Sequence, residues 1–287
     1  MIAGLVLLAG GAAAGVFGSL LGLGGGILIV PLLTLGFGRP LREAVAVSLV
    51  SVIVTSSASA GVYLQRHIAN LRLGMVLELF TASGALAGGL IAFLLDERML
   101  AGLFALLLTW VAVSMIRRRE TAPRTVVPAA AASDPVPVGD GPASIPGPGA
   151  RGSGLAARLS GPGYRVERLP AGMAGSVFAG LVSALLGVGG GIVKVPVMNL
   201  VMSVPLKVAT ATSNMMIGIT ATSSAVIYLL RGGIDPYVEG PTALGVFLGA
   251  SAGSRIAHRI DVRVLRWLFV IVLVYTAFQM ARKALAI

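Results

Sequence analysis

The chain has no cysteine, which excludes disulfides, thiolate chemistry and iron–sulfur clusters. Charge is scarce. Asp, Glu, Lys and Arg make up 11% of the 287 residues, against about 25% in an ordinary soluble domain. Only two histidines are present. No nucleophile–base set, metal-ligand spacing or phosphate loop can be assembled from what remains, so no cofactor or metal is expected and an enzyme is disfavoured. The basic residues, although in excess at a net +11, form no helix with interleaved aromatics. That pattern argues against nucleic-acid binding.

Apolar residues are abundant instead: 56% of the chain, with a mean hydropathy of +0.93. So few charges cannot cover a globular surface in water, and much of the solvent is expected to be lipid. The apolar runs agree. Ile2–Leu21, Val45–Leu64, Leu73–Leu95, Met99–Ile116, Met173–Val188, Val208–Leu230, Thr242–Gly253 with its flanks, and Val264–Met280 lie near the ~18 residues that a spanning helix needs. The N-terminal run lacks the basic region of a signal peptide and is expected to be a retained span.

Shifted by 165 residues, the chain matches itself. "GLGGGILIVP" at 22–31 falls on "GVGGGIVKVP" at 187–196. Pro40-Leu41 falls on Pro205-Leu206, Ser48 on Ser213, Thr55 on Thr220, Tyr63-Leu64 on Tyr228-Leu229, and Gly84-Ala85 on Gly249-Ala250. The expected organisation is a first membrane repeat over 1–116, a Pro/Gly/Ala-rich linker over 117–170, and a second repeat over 171–287. The linker composition predicts a mobile tether, with a short order-prone piece near Leu155–Leu159.

Each half holds four full-length runs and one short one. The short run between Gly26 and Gly38 reaches roughly 18 Å, well below the ~30 Å hydrocarbon core. If it counts as a crossing, Arg66, Arg72, Arg117–Arg119, the linker, Lys207, Arg255, Arg259, Arg263 and Arg266 share one side. Arg39, Arg42, Arg98, Arg231, Arg282 and Lys283 share the other. If it folds back, the basic residues divide almost evenly. The bias of basic residues toward the cytoplasm favours the first case. The expected fold is therefore an all-α polytopic membrane protein with two inverted repeats of about five segments, ten in all; four plus four is the alternative. The linker is then cytoplasmic and both termini lie outside.

Three features are candidates for function. The first is the pair of glycine runs, Gly24, Gly25, Gly26 and Gly189, Gly190, Gly191. Consecutive glycines cost about 0.8–1 kcal/mol each in a helix interior, so they mark a turn or an unwound point. Unwound backbone at membrane depth faces protein or water, and its free amides attract an anion; a plain hinge is the other reading. The second is a stripe of hydroxyl and amide side chains: Ser48, Ser51 and Thr55 in one half, Thr212, Ser213, Asn214 and Thr220 in the other. These contact either a substrate or one another's helices. The third is the pair of lone charges inside apolar runs. Lys194 neutralises an anion or snorkels to an interface. Glu78 carries a coupling proton or sits near an interface. "GALAGG" at 84–89 and "GASAGS" at 249–254 read as helix-packing surfaces.

The paired "GxGGGxxxVP" motif, each copy followed by a helix rich in alanine, serine and threonine, resembles the TauE/SafE sulfite exporter family, also called the toluene sulfonate uptake permeases. The resemblance covers both halves and leaves out the linker. It implies a bacterial inner-membrane transporter for sulfur-containing anions such as sulfite, sulfonates, sulfoacetate or thiosulfate. By position it implies a substrate region built from Gly24–Gly26, Gly189–Gly191 and the helices that begin near Ala44 and Ala209. The expected partners are a small anion and membrane lipid, with a homodimer left open. A passive anion channel, and a membrane-embedded enzyme acting on lipid, are the competing readings.

Overall fold

The computed structural model describes residues 2–21, 25–65, 69–117, 156, 159–161, 164–233, 235–256 and 262–285. Gly24, His67, His258 and residues 118–155 of the linker lie outside that set. The first half contains α1 (Ile2–Leu21), α2 (Gly26–Pro31), α3 (Leu41–Gln65), α4 (Leu71–Leu94) and α5 (Glu97–Arg117). The second contains α6 (Leu169–Leu186), α7 (Gly191–Pro196), α8 (Leu206–Leu230), α9 (Pro236–Ile256) and α10 (Val262–Leu285). Each element thus has its repeat counterpart five places on. No β-strand occurs among the described residues.

Local chemistry sets the short elements. Pro31 and Pro196 end α2 and α7. A proline offers no N–H and crowds the carbonyl four residues back. The chain answers by widening into π-helical turns over Leu32–Gly36 and Val197–Val201. Gly25 (φ +75°) and Gly190 (φ +73°) stand in left-handed backbone just before α2 and α7, a conformation glycine adopts without steric cost. Asn70 caps α4, its side-chain oxygen accepting from Leu73 N at 3.0 Å.

The directions of the helices reveal how the halves are related. Arg42, near the start of α3, and Arg231, just past the end of α8, both lie over the Phe93 ring, at 5.8 and 5.5 Å. Further along, Ser56 of α3 meets Gly218 of α8. One register rises as the other falls, so these equivalent helices run antiparallel. The same holds for α5 and α10: Lys283 Nζ, near the end of α10, donates to Glu97 Oε1 at the start of α5 at 2.9 Å. Equivalent helices run antiparallel when the repeats are inverted in the membrane. Antiparallel α3 and α4 are fixed by Arg42, which donates to Ala92 O at 3.2 Å and to Leu95 O. Across the halves, α1 runs parallel to α9, with Gly11 against Thr242 O and Gly15 against Val246 O. In the mirror arrangement α4 runs parallel to α6, with Gly84 against Val177 O and Gly88 against Leu181 O. The small-residue motifs therefore pack helix on helix, as expected from their composition. With α1 and α3 pointing the same way, the short α2 segment must carry the chain back between them. That favours five segments per half over four.

Two ends result. One gathers Arg39, Arg42, Arg98, Arg231, Arg282 and Lys283 with Glu43, Asp96, Glu97, Asp235 and Glu239. Ion pairs Arg39–Glu43 (3.3 Å), Arg39–Asp235 (3.6 Å) and Lys283–Glu97 lie there. A cavity of about 510 Å³, lined by Asp96, Glu97, Arg98 and Lys283, opens beside them. The segments leaving the opposite end contain fifteen basic residues against five acidic ones.

At that basic end, the last part of the linker is folded onto the membrane helices. Leu159 and Val166 are buried beside Leu73, Met198, Met202 and Val204. Asn70 Nδ2 donates to Leu159 O at 2.8 Å and to Tyr164 Oη at 2.7 Å, and Glu167 N donates to Met202 O at 3.1 Å. Burial pushes the Tyr164 phenol above its usual range, with the Asn70 bond pulling the other way. Tyr164→Ala removes this anchor. It is expected to speed tryptic cleavage after the exposed Arg165 several-fold in detergent, measured as the half-time of the intact band. An unchanged half-time would show that the strap is held without it.

Candidate functional site

The two glycine breaks meet. A Cβ placed on Gly26 would lie 2.5 Å from Gly187 O, 2.7 Å from Val52 Cγ2 and 2.8 Å from Ser48 Oγ. Ser48 Oγ lies 2.6 Å from Gly187 O and 3.0 Å from Gly26 O, so its one proton ties the first break to the second. Gly25 approaches Ala14 O of α1, and Gly190 approaches Ala179 O of α6. Ala14 and Ala179 are repeat counterparts, so each break sits alongside the same point of the preceding helix. The breaks therefore lie inside the protein, where α3 and α8 cross.

Hydroxyls surround them unevenly. Ser51, Ser183 and Ser213 are buried, and their Oγ atoms have no hydrogen-bond partner. Burial of an unpaired hydroxyl costs about 1–3 kcal/mol, so three in one region require an explanation. Ser183 packs against Gly190, and Ser213 Oγ reaches toward Gly191. Thr55, by contrast, turns back onto Ser51 O and Val52 O of its own helix, both at 3.1 Å.

The lone charges find each other. Lys194 Nζ lies 3.2 Å from Glu78 Oε2, with side chains 1% and 7% exposed. Lys194 also donates to Thr220 Oγ1, which in turn donates to Glu78 Oε1 at 2.6 Å. The trio joins α7, α4 and α8. The lysine stem runs past Gly190, its Cε 3.5 Å from where a Cβ would stand. Neither charge reaches an interface, which corrects the interfacial reading of both residues. A charge buried in so dry a place needs its partner, and the segment's shortness does not bring Lys194 to the surface.

The expected site residues thus sort by geometry. Gly25, Gly26, Gly189, Gly190, Gly191, Ser48, Ser213 and Lys194 come together, and Thr220 joins through Lys194. Thr212 lies apart, at the basic end, where its Oγ1 accepts from Asn70 N at 3.0 Å. Asn214 is half-buried. Two contributors were not read from the sequence. Gly187 supplies the carbonyl that Ser48 holds, and Ser183 flanks Gly190. Ser183 escaped because its counterpart is Gly18, so no repeat marks it. The ion pair did leave a signal: Lys194 aligns with Ile29 and Glu78 with Ala243, so each charge stands where the other repeat has an apolar residue.

Residues 7–280 match the family described as Sulfite exporter TauE/SafE. The chain belongs to the TauE/SafE sulfite exporter family. Among TauE/SafE-like relatives is the "Probable membrane transporter protein YunE" of Bacillus subtilis (strain 168), 23% identical over 96% of each chain. Another is the "Probable membrane transporter protein MamO" of Paramagnetospirillum magneticum, 30% identical over 97% of this chain. That match covers 44% of MamO, so the present chain spans less than half of MamO's length. No solved structure matches. With its four long apolar helices among the described residues, this TauE/SafE member is a membrane transporter.

Proposed function

We propose that the protein moves a small sulfur-containing anion, of the sulfite, organosulfonate, sulfoacetate or thiosulfate class, across the bacterial inner membrane by alternating access. The observation that carries this reading is the meeting of the two inverted breaks around Ser48, with the unpaired hydroxyls of Ser183 and Ser213 beside the second. An oxyanion accepts from several hydroxyl and amide donors at once. Unsatisfied buried donors beside unwound backbone suit a guest of that kind. Inverted repeats supply the motion, because the two halves can exchange conformations about a fixed central site. The basic end, with the linker, faces the cytoplasm on the rule that cytoplasmic segments carry excess Lys and Arg. Both chain ends then face the periplasm or exterior.

The test is uptake of radiolabelled sulfite, thiosulfate, sulfoacetate and methanesulfonate into proteoliposomes. At least one probe is expected to accumulate in protein-dependent fashion. Gly25→Val and Gly190→Val force a β-branched side chain into left-handed backbone and are expected to abolish that flux while the protein still inserts. Normal flux in both variants would remove the breaks from the site. Flux indifferent to any gradient would identify a passive channel instead.

A further inference from the structure

We infer that Glu78, Lys194 and Thr220 form a proton-coupling site, at which a proton on Glu78 and an anion on Lys194 bind and leave together. The inference rests on the transporter reading above and adds its driving ion. In the state seen, the ammonium of Lys194 is matched by the Glu78 carboxylate 3.2 Å away, and the pair is neutral as a unit. An anion arriving at Lys194 would add a buried negative charge, unless Glu78 gives up its own by taking a proton. A proton arriving at Glu78 without an anion would strand the ammonium. Both single-loaded states leave an unmatched charge in a dry interior, which is strongly disfavoured. The empty pair and the doubly loaded site are both neutral, so only these two are free to cycle. One proton then travels with each monovalent anion, in the same direction.

Thr220 equips the site for both states. Its hydroxyl now donates to Glu78 Oε1 at 2.6 Å, and Met216 O stands 3.1 Å from the same oxygen. When Glu78 is protonated, its new O–H can donate to Thr220 Oγ1 while the threonine proton turns to Met216 O. The Thr220 hydroxyl and the Glu78 carboxyl each keep a partner in either state. Anion access is marked by Ser183, whose unpaired hydroxyl and the Lys194 stem flank the same residue, Gly190. Other charges do not intrude. Facing Glu78 on α4 are α6, which has no titratable residue, α7, whose only one is Lys194, and α8, whose only others are Lys207 and Tyr228, 13 and 8 residues from Thr220. The repeat counterparts of Lys194 and Glu78 are Ile29 and Ala243, neither of them ionisable, so a single coupling site is built.

The experiment uses the full chain in proteoliposomes with a trapped pH indicator and the two named probes that carry a single charge, methanesulfonate and, below neutral pH, hydrogen sulfite. The wild type is expected to acidify the lumen as a transported anion enters, and to take it up several-fold faster under an inward proton gradient. Glu78→Gln is expected to lose both effects while still exchanging labelled for unlabelled anion across the membrane. Thr220→Val is expected to slow gradient-driven uptake, and Thr220→Ser to restore it, which keeps the test decisive if Glu78→Gln does not fold. Wild-type flux that ignores the proton gradient, or Glu78→Gln flux that still follows it, overturns the coupling and leaves the transporter reading intact. If no probe crosses, the transporter reading falls. The coupling is then judged on solubilised protein by the infrared band of a protonated carboxyl. Growth of that band on adding either monovalent anion at constant pH, absent in Glu78→Gln, supports it; a band indifferent to both overturns it.

Discussion

Lys194→Met on its own is expected to destabilise the protein by about 3–5 kcal/mol, the usual loss when one partner of a buried ion pair is removed. The Glu78 carboxylate is then left inside with only Thr220 to satisfy it. The double variant Lys194→Met/Glu78→Gln removes both charges and is expected to recover most of the loss. That recovery separates a charge effect from a packing effect. Thermal midpoints in detergent measure both, at one pH and one lipid content. The exposed pair at the other end sets the scale. Arg39 and Glu43 have side chains 40% and 36% exposed, and such pairs contribute ~0–1 kcal/mol. Glu43→Gln is therefore expected to move the midpoint hardly at all. A Lys194→Met midpoint equal to wild type would mean that the buried pair is not formed in the membrane.

The second large effect is expected at the seams between the halves. Gly84 and Gly249 are repeat counterparts, and each meets a backbone carbonyl of the partner helix, Val177 O and Ala12 O respectively. Gly180 meets Thr81 O in the same seam as Gly84. No rotamer relieves a clash between Cβ and backbone, so the helices must part. Overpacking costs typically ~1–3 kcal/mol where neighbours can adjust; here they cannot, and Gly84→Val, Gly180→Val and Gly249→Val are expected to lie at or above the top of that range. The readout is the yield of monodisperse protein on size exclusion, expected to fall to near zero. Gly102→Ala is the control. Its nearest neighbour is Ala284 Cβ at 3.7 Å, an ordinary contact, and alanine favours a helix interior over glycine by about 1 kcal/mol. Equal yields from Gly84→Val and Gly102→Ala would show that the parallel seams are not as close as described.

Much of the architecture was legible because repeats and charge act over whole segments. The match of Gly24–Ile27 with Gly189–Ile192 and of Tyr63 with Tyr228 sets the correspondence of helices without any contact being known. The sorting of Arg39, Arg42, Arg98, Arg231 and Lys283 to one side predicts their shared end, where Glu97, Asp235 and the Leu95 carbonyl receive several of them. The π-helical turns were not legible, since a proline announces a disturbance but not how the following turn will absorb it. Nor was the placement of Leu159, Tyr164 and Glu167 against Asn70 and Met202. Proline and glycine dominate the linker as a whole, and the few residues that anchor it carry little weight in its composition.

The site divides in the same way. Ser48 and Ser213 are repeat counterparts, yet only Ser48 bridges the breaks, and Ser213 stays unpaired. Thr212 belongs to the same polar stripe but faces Asn70, because the rotation of about 100° per residue turns it away from its neighbour Ser213. What the sequence alone determined is the membrane, the duplication, the two breaks and the presence of two lone charges, since each follows from composition, spacing or chain-local backbone cost. What only the tertiary structure decided is that the breaks touch and that Lys194 meets Glu78, 116 positions away along the chain. Those contacts depend on how α4, α7 and α8 pack, and packing joins residues by shape and charge at distances along the chain that no local pattern records.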